Sequence, residues 1–260
     1  MYFYGKTDVG RRRSANQDNF IIHKYAQDVL YALVCDGMGG ANGGDTASAV
    51  AVRAFAAVMD EAERKNPSFF GLPGEDIIDL LSEAVTEANR AVFRMAQDDP
   101  ALEGMGTTLV GLLLLGQRIW AVNVGDSRLY LADASGVRQI SHDHSVVQEW
   151  VDSGRITAEQ AKTSRNRNII TRCVGTNKTV DPDFFEENAA PGSVFILCSD
   201  GLTNHVEPEE IRQIVCEASP WPELPVMMSA ESAEKACERL IGLANERGGT
   251  DNVTAVVLSV

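Results

Sequence analysis

Apolar residues recur along this 260-residue chain with two kinds of spacing, and the change from one to the other predicts the secondary structure. Where they return at i, i+3, i+4 and i+7, they indicate one face of an amphipathic helix. Helices are predicted over residues 45–63, 75–97, 207–217 and 232–245, with two shorter ones over 146–153 and 157–162.

Shorter runs rich in β-branched, aromatic and leucine residues, bounded by Gly, Asp, Asn or Ser, predict strands. The predicted strands are 2–7, 20–23, 29–35, 107–115, 118–124, 127–132, 137–140, 193–198 and 253–260. The four strands between 107 and 140 follow one another through Gly-bearing turns, so they are expected to form a β-meander. Loops rich in Pro are expected at 66–74 and 219–228. No internal repeat or linker divides the chain, so one domain over residues 1–260 is expected.

Composition narrows the possible functions. The net charge of −14 and the isoelectric point near 4.7 argue against binding to nucleic acids or to anionic membranes, both of which attract Lys and Arg. The longest apolar run, at 109–115, is too short to span a bilayer. The five cysteines form no Cys-x-x-Cys pair, and the N-terminus lacks the order of a signal peptide. A cytoplasmic protein is expected.

The stretch from residue 29 to residue 45 combines a rigid element with a reactive group. Its apolar strand ends on Asp36, and glycines follow from Gly37 to residue 44 before a helix begins. Glycine lets the backbone approach an ion closely, and hard divalent cations bind carboxylate and backbone carbonyl oxygens. Asp-Gly after a strand is also a common turn, and for this stretch alone the turn is the favoured interpretation.

Other carboxylates in similar settings favour the metal hypothesis instead. Asp126, Asp200 and Asp251 each lie beside Gly or Asn at an expected strand end or tight turn. A further carboxylate, Asp18, follows Arg13 by five residues. Crowded carboxylates repel one another unless cations lie between them. Two divalent metals about 3.5–4 Å apart can share a carboxylate and ionise a water. Phosphate esters are natural substrates, because metals and Arg together neutralise the phosphoryl charge.

Eight short motifs, in this order, resemble the metal-dependent protein phosphatase family, the type 2C serine/threonine phosphatases, and in particular its bacterial branch. The resemblance covers nearly the whole chain. The motifs are Arg13-x-x-Asn16-Gln17-Asp18, Asp36-Gly37-Met38-Gly39-Gly40, Gly106-Thr107-Thr108, Gly125-Asp126-Ser127-Arg128, Asp143-His144-Ser145, Ile170-Thr171-Arg172 with Gly175, Ser199-Asp200-Gly201-Leu202 and Asp251-Asn252-Val253-Thr254.

The resemblance implies an α+β fold of four layers, α-β-β-α, with two central antiparallel sheets flanked by helices. It also implies a metal centre at one end of the sandwich. Asp36 is implied to bridge two Mn²⁺ or Mg²⁺ ions. Asp200 and Asp251 would complete the ligand set of the first ion, and the backbone carbonyl of Gly37 would bind the second. Asp126, with Asp200, would bind a third and weaker ion.

The implied activity is hydrolysis of phosphoserine and phosphothreonine in proteins, by direct attack of a hydroxide that bridges the metals. The implied catalytic residues are Asp36, Asp18, which would hold metal-bound waters, and Arg13, which would grip the substrate phosphate. A flap at about 146–168 would lie beside the site and influence substrate preference. The implied partners are phosphorylated proteins, including a cognate bacterial Ser/Thr kinase and its targets, with the phosphatase itself acting as a monomer.

Two positions depart from the family pattern. Met38 stands where some members have a His proposed as general acid, so a metal-bound water is expected to protonate the leaving group. For His142 and His144, a structural role near a turn is favoured over a role in protonating the leaving group. Gln17 replaces the usual Glu, which is expected to lower metal affinity slightly. The alternative function is a catalytically weak, phosphatase-like module that binds a phosphoprotein, although such proteins usually lose a metal Asp and this sequence keeps them all.

Overall fold

A computed structural model describes residues 1–39, 43–218 and 228–260, so Gly40 and most of the expected loop at 219–228 lie outside the described residues. The strands of the described part form two antiparallel sheets. They are β1 (Tyr2–Asp8), β2 (Asp18–Ala26), β3 (Val29–Met38), β4 (Gly106–Thr107), β5 (Leu109–Leu115), β6 (Arg118–Val124), β7 (Arg128–Asp133), β8 (Gly136–Gln139), β9 (Asp183–Asn188), β10 (Val194–Cys198) and β11 (Val253–Ser259). Sheet A has the order β1-β11-β10-β7-β8, and sheet B the order β2-β3-β5-β6-β9, with the short β4 paired to β3.

The described residues form seven α-helices. They are α1 (Gly44–Lys65), α2 (Gly74–Asp98), α3 (Val146–Asp152), α4 (Ala158–Lys162), α5 (Asp200–Thr203), α6 (Pro208–Ala218) and α7 (Ala230–Glu246). The long pair α1 and α2 covers the outer face of sheet B, whereas α6 and α7 cover the outer face of sheet A. No helix among the described residues is long and apolar enough to cross a membrane.

The first seven residues of β3, 29–35, form an unbroken hydrophobic run. Side chains alternate between the faces of a strand. Tyr31 and Leu33 pack into the core beneath α1 and α2, while Leu30 and Ala32 pack into the core between the two sheets. Both faces of residues 29–35 are therefore buried, which explains why charged residues are absent from this stretch. The expected four-layer α+β sandwich is confirmed.

The structure corrects three expectations. The strands between 107 and 140 do not form one meander, because β5 and β6 belong to sheet B and β7 and β8 to sheet A. The chain crosses between sheets at Gly125, whose φ of +107° suits glycine. Strand β3 continues past Asp36 to Met38, because its end pairs with β4. The edge strand β9 was not anticipated, since its acidic sequence lacks the apolar alternation that predicts strands.

Candidate active site

A cavity of about 480 Å³ lies where several of these strands begin or end. Its wall is built from segments far apart in sequence: the loop after β1, the end of β3, the β6–β7 crossing, the start of α5 and the residue pair before β11. Six of the seven predicted site residues line it, namely Arg13, Asp36, Gly37, Asp126, Asp200 and Asp251. The seventh, Asp18, lies behind the wall and is 3% exposed.

Asp18 is held rigidly in the interior. It pairs with Asp36 in the β2–β3 register. Its Oδ2 accepts hydrogen bonds from Ser199 Oγ at 2.7 Å and Thr254 Oγ1 at 2.6 Å, whereas its buried Oδ1 has no hydrogen-bond partner among the described residues. Burial raises the pKa of Asp18 to about 7, with Asp200 and Asp251 adding to the rise and the two hydroxyl hydrogen bonds opposing it.

The acidic groups on the cavity wall destabilise one another's charge. Burial, and then repulsion from Asp18, Asp200 and Asp126, raises the pKa of Asp36 well above its usual value. Burial raises the pKa of Asp126 to about 8, and Asp200 contributes to that rise. The pKa of Asp200 is raised by burial and by Asp251, while hydrogen bonds from Asn204 and Asp36 oppose the change. Cations bound between such groups would relieve the repulsion.

Gly37 permits a close approach of three backbone segments. A Cβ atom on Gly37 would lie 1.9 Å from the carbonyl oxygen of Gly44 and 2.7 Å from that of Gln17. The Gly37 amide donates to that Gln17 oxygen at 3.1 Å. Any side chain here would push the start of α1 away from β3, so packing requires glycine at the residue whose carbonyl is the predicted metal ligand.

Two threonines fix the backbone of Asp36. Thr107 Oγ1 donates to the Asp36 carbonyl at 2.9 Å, and the Asp36 amide donates to Thr108 Oγ1 at 2.9 Å. Thr108 Oγ1 also lies 2.7 Å from Ser127 Oγ, in a buried contact next to Asp126. The threonine pair was noticed in the sequence only as part of a motif, and its role as a clamp on Asp36 comes from the structure.

Arg13 and Asp251 form an ion pair within the cavity. Arg13 Nη2 donates to Asp251 Oδ2 at 2.8 Å, and this hydrogen bond is the main reason that the pKa of Arg13 is raised. The Arg13 side chain remains 51% exposed and that of Asp251 28% exposed, so the guanidinium keeps nitrogens open to the cavity. The sequence prediction placed the two residues in one site but did not foresee their contact.

Asn252 joins the two segments that carry this ion pair. Its Nδ2 donates to the carbonyls of Val9 and Ala15, each at 2.9 Å, and its Oδ1 accepts from the Gln17 amide at 2.8 Å. Residues 9–17, including Arg13, are thereby attached to the strand end that carries Asp251. Sequence reasoning missed this role. The available signal was a polar residue directly before a fully apolar strand.

His144 supports the turn that carries Asp126. The Gly125 amide donates to His144 Nδ1 at 3.1 Å, and the His144 amide donates to the Gly125 carbonyl at 2.9 Å. His144 Nε2 lies 3.1 Å from Asp183 Oδ2, and burial lowers the pKa of the imidazole. His142 instead pairs with Asp152 at 3.0 Å on the surface. Neither histidine lines the cavity.

The donor set suits a hard divalent cation. Carboxylates and a backbone carbonyl are the oxygen ligands that Mg²⁺ and Mn²⁺ prefer. Besides Asp18, Asp200 has a buried Oδ1 without a hydrogen-bond partner in the described part of the chain. The side chains are not arranged as a closed coordination sphere, since no three His, Cys, Asp or Glu groups of residues 1–39, 43–218 and 228–260 are placed to hold one ion together. The residue types and their burial fit a metal, and the ion pair of Asp251 with Arg13 is one contact that would have to change.

The sequence pattern of the family described as Protein phosphatase 2C matches residues 9–241. The chain belongs to this family. The family match includes every acidic residue of the cavity wall except Asp251, which lies beyond residue 241.

Known relatives extend the comparison to the whole chain. It is 39% identical over 260 residues to a serine/threonine protein phosphatase PstP of Mycobacterium tuberculosis, of which it spans only 45%. It is 33% identical over 258 residues to a serine/threonine phosphatase stp of Listeria welshimeri and spans 95% of that protein. Among solved structures, the catalytic domain of the serine threonine protein phosphatase PstP in complex with 2 manganese ions superimposes with a TM-score of 0.77 at 36% identity, covering 98% of this chain and 96% of that one.

Proposed function

We propose that this protein is a metal-dependent serine/threonine protein phosphatase whose active site is the cavity lined by Asp36, Asp126, Asp200 and Asp251. The observation that carries the proposal is the mutual repulsion of these carboxylates beside one arginine, Arg13, in a site open to solvent. Such a site stabilises cations and, with them, a phosphate group. The names of the relatives support the same activity. In the same proposal, residues 1–260 form one phosphatase domain.

In this proposal Asp36, Asp200 and Asp251 hold two cations with the Gly37 carbonyl, and Asp126 with Asp200 holds a third. The manganese of the solved relative supports Mn²⁺, and Mg²⁺ would bind the same oxygen ligands. When bound, the cations supply positive charge and lower the pKa of water that attacks phosphorus.

The chain's own residues orient the reaction. Arg13, half exposed beside Asp251, binds the phosphoryl oxygens through the nitrogens that Asp251 does not use. The buried carboxylate of Asp18, whose Oδ1 has no hydrogen-bond partner among the described residues, would hold waters of the metal site. No histidine is among the described residues that line the cavity, and Met38 there has no proton to transfer. The leaving group therefore takes its proton from water.

The substrates proposed are phosphorylated proteins, including a cognate Ser/Thr kinase and its targets, with the enzyme acting as a cytoplasmic monomer. The alternative, a binding module without catalysis, gains no support from the structure's described residues, because the four acidic residues predicted to bind metal line one cavity.

The test is hydrolysis of an aryl phosphate, and of phosphoserine, phosphothreonine and phosphotyrosine peptides, with and without Mn²⁺. Asp200→Asn should lower kcat by about 100-fold or more, a loss of ~2.7 kcal/mol of transition-state stabilisation. Asp79→Asn, the same change on the exposed face of α2, serves as control and should leave kcat unchanged. Folded parent protein that binds Mn²⁺ by calorimetry but hydrolyses none of these substrates would overturn the proposal and favour the binding module.

A further inference from the structure

Residues 155–172, called here the basic segment, reverse the charge of the rest of the chain. They contain five of the 23 Lys and Arg residues and one of the 37 acidic residues, so their formal charge is +4 in a chain whose total is −14. The overall composition of the chain, which is acidic, does not account for a positive charge concentrated in 18 consecutive residues. The segment includes α4 and the return to the cavity wall at Ile170.

Three of the five cations have no acidic partner among the described residues. Lys162 pairs with Glu159 and Glu207, and Arg172 pairs with Asp183 at 2.8 Å. The remaining three are Arg155, Arg165 and Arg167, all of which are exposed. Of these three, Arg167 donates two side-chain hydrogen bonds, each at 3.4 Å, to the side-chain oxygen of Asn168 and the backbone carbonyl of Lys162. Both acceptors are neutral. In the described part of the chain these three guanidinium groups are therefore not neutralised by a carboxylate and can bind an external anion.

The basic segment adjoins the candidate active site directly. Asn168 and Ile170 line the active-site cavity. Lys162 and Arg167 line a second cavity of about 340 Å³, and this second cavity shares Asp126 and Asp200 with the first. A peptide whose phosphate occupies the first cavity can therefore extend along the second cavity to Arg167, and Arg165 lies two residues before Arg167 in the chain.

We propose that the basic segment selects substrates by binding acidic side chains that flank the phosphorylated serine or threonine, with Arg165 and Arg167 as the specificity-determining residues. This inference rests on the proposed function. Residues outside the segment carry a net negative charge, which repels acidic peptides, whereas Arg forks bind carboxylates with two hydrogen bonds. Screening acts over ~8 Å at physiological salt, so the local charge of the segment governs a flank bound beside it.

The experiment compares kcat/KM for two phosphothreonine peptides that differ only in flanking residues, Asp and Glu in one and Asn and Gln in the other. The parent should prefer the acidic peptide by about fivefold, the effect expected of two exposed ion pairs. The double variant Arg165→Gln/Arg167→Gln should reduce this preference to about one. The control Arg53→Gln/Arg94→Gln removes the same charge from exposed positions on α1 and α2 and should keep the preference. Hydrolysis of a small aryl phosphate should be equal in all three proteins.

Equal kcat/KM for the two peptides in a parent that hydrolyses the aryl phosphate would overturn this inference and leave the proposed function intact. No hydrolysis of any substrate by folded, Mn²⁺-loaded parent would instead overturn the proposed function. Loss of preference in the control double variant would assign the effect to net charge rather than to the basic segment and would also overturn the inference. An equal fall in aryl phosphate and peptide hydrolysis in the Arg165/Arg167 variant would do the same, because the arginines would then act on the chemistry or the fold.

Discussion

Replacement of Gly37 by alanine is the sharpest single test of how the site is built. The new Cβ would lie 1.9 Å from the Gly44 oxygen, 2.4 Å from the Gly44 carbonyl carbon and 2.7 Å from the Gln17 oxygen. All three are backbone atoms, so no side-chain rotation can relieve the overlap. The start of α1 must separate from β3, and overpacking of this kind usually costs about 1–3 kcal/mol and occasionally more. We expect a loss near the upper end of that range.

The assay is urea unfolding followed by circular dichroism, combined with calorimetric titration of Mn²⁺. Gly37→Ala should lower the free energy of unfolding by about 3 kcal/mol and the melting temperature by roughly 5–10 °C. It should also weaken Mn²⁺ binding at temperatures where the variant is folded, because the carbonyl of residue 37 moves with the displaced strand. The matched control is Gly242→Ala in α7, where a Cβ meets nothing within 4 Å. Alanine should stabilise that helix by about 0.5–1 kcal/mol.

A Gly37→Ala variant with parent-like stability and Mn²⁺ affinity would refute the reasoning, since it would show that the contact between β3 and α1 yields easily. A loss of stability with unchanged Mn²⁺ affinity would refute only the part that places the Gly37 carbonyl at the metal.

Three further outcomes follow from the same structure. Asn252→Ala removes three hydrogen bonds that attach residues 9–17 to the segment before β11, so the free energy of unfolding should fall by about 2–4 kcal/mol in urea titrations. Asn188→Ala, at an exposed position at the end of β9, is the control and should change the free energy of unfolding little. In protein stripped of metal by a chelator, the free energy of unfolding should decrease as the pH rises from about 4 to 8. The pKa values of Asp18 and Asp126 in the folded state, about 7 and about 8, exceed their values in the unfolded chain. The folded state therefore binds more protons than the unfolded state over that pH range. The decrease should be on the order of a few kcal/mol and should shrink when Mn²⁺ is present; stability that rises over this window would contradict the assignment of those pKa shifts. Leu112→Ala, between the two sheets, should destabilise by about 2–5 kcal/mol in the same titrations while leaving kcat of the folded enzyme unchanged, and a large fall in kcat would show that the core and the site are coupled.

Hydrophobic spacing was sufficient to locate most elements, because burial dictates it. Helices α1 and α2 follow directly from helical spacing, and strands such as β6 follow directly from apolar runs. Strand partners were harder to infer, since a strand buried on both faces has the same sequence in either sheet. The crossing at Gly125 illustrates this: the same Gly-bearing turn could continue a meander or change sheets. Strand β9 pairs only with β6 at an edge, so half-buried positions tolerate its acidic residues.

In the candidate site, the reactive side chains could be predicted from the sequence, whereas the hydrogen bonds that hold them in place could not. The acidic residues could be predicted because carboxylates beside glycine at strand ends are unusual in combination. Their supports could not, since a threonine or asparagine in sequence gives no indication of its partner. Thr108 reaches both Asp36 and Ser127, and Asn252 reaches a loop more than 230 residues away in sequence. Such hydrogen bonds depend on the tertiary fold and leave no local pattern.

The charge arrangement of the cavity links stability to function. Folding places Asp36, Asp126 and Asp200 where burial and mutual repulsion raise their pKa values, which opposes folding at neutral pH. Arg13 is the one cation among the described lining residues, and it pairs with Asp251 alone. One arginine cannot neutralise four carboxylates. The close backbone contacts at Gly37, the threonine clamp on Asp36 and the asparagine link to residues 9–17 hold the carboxylates together against this repulsion. Under the proposed function, bound cations would lower the free energy of the folded state at this cavity, where phosphate chemistry needs positive charge.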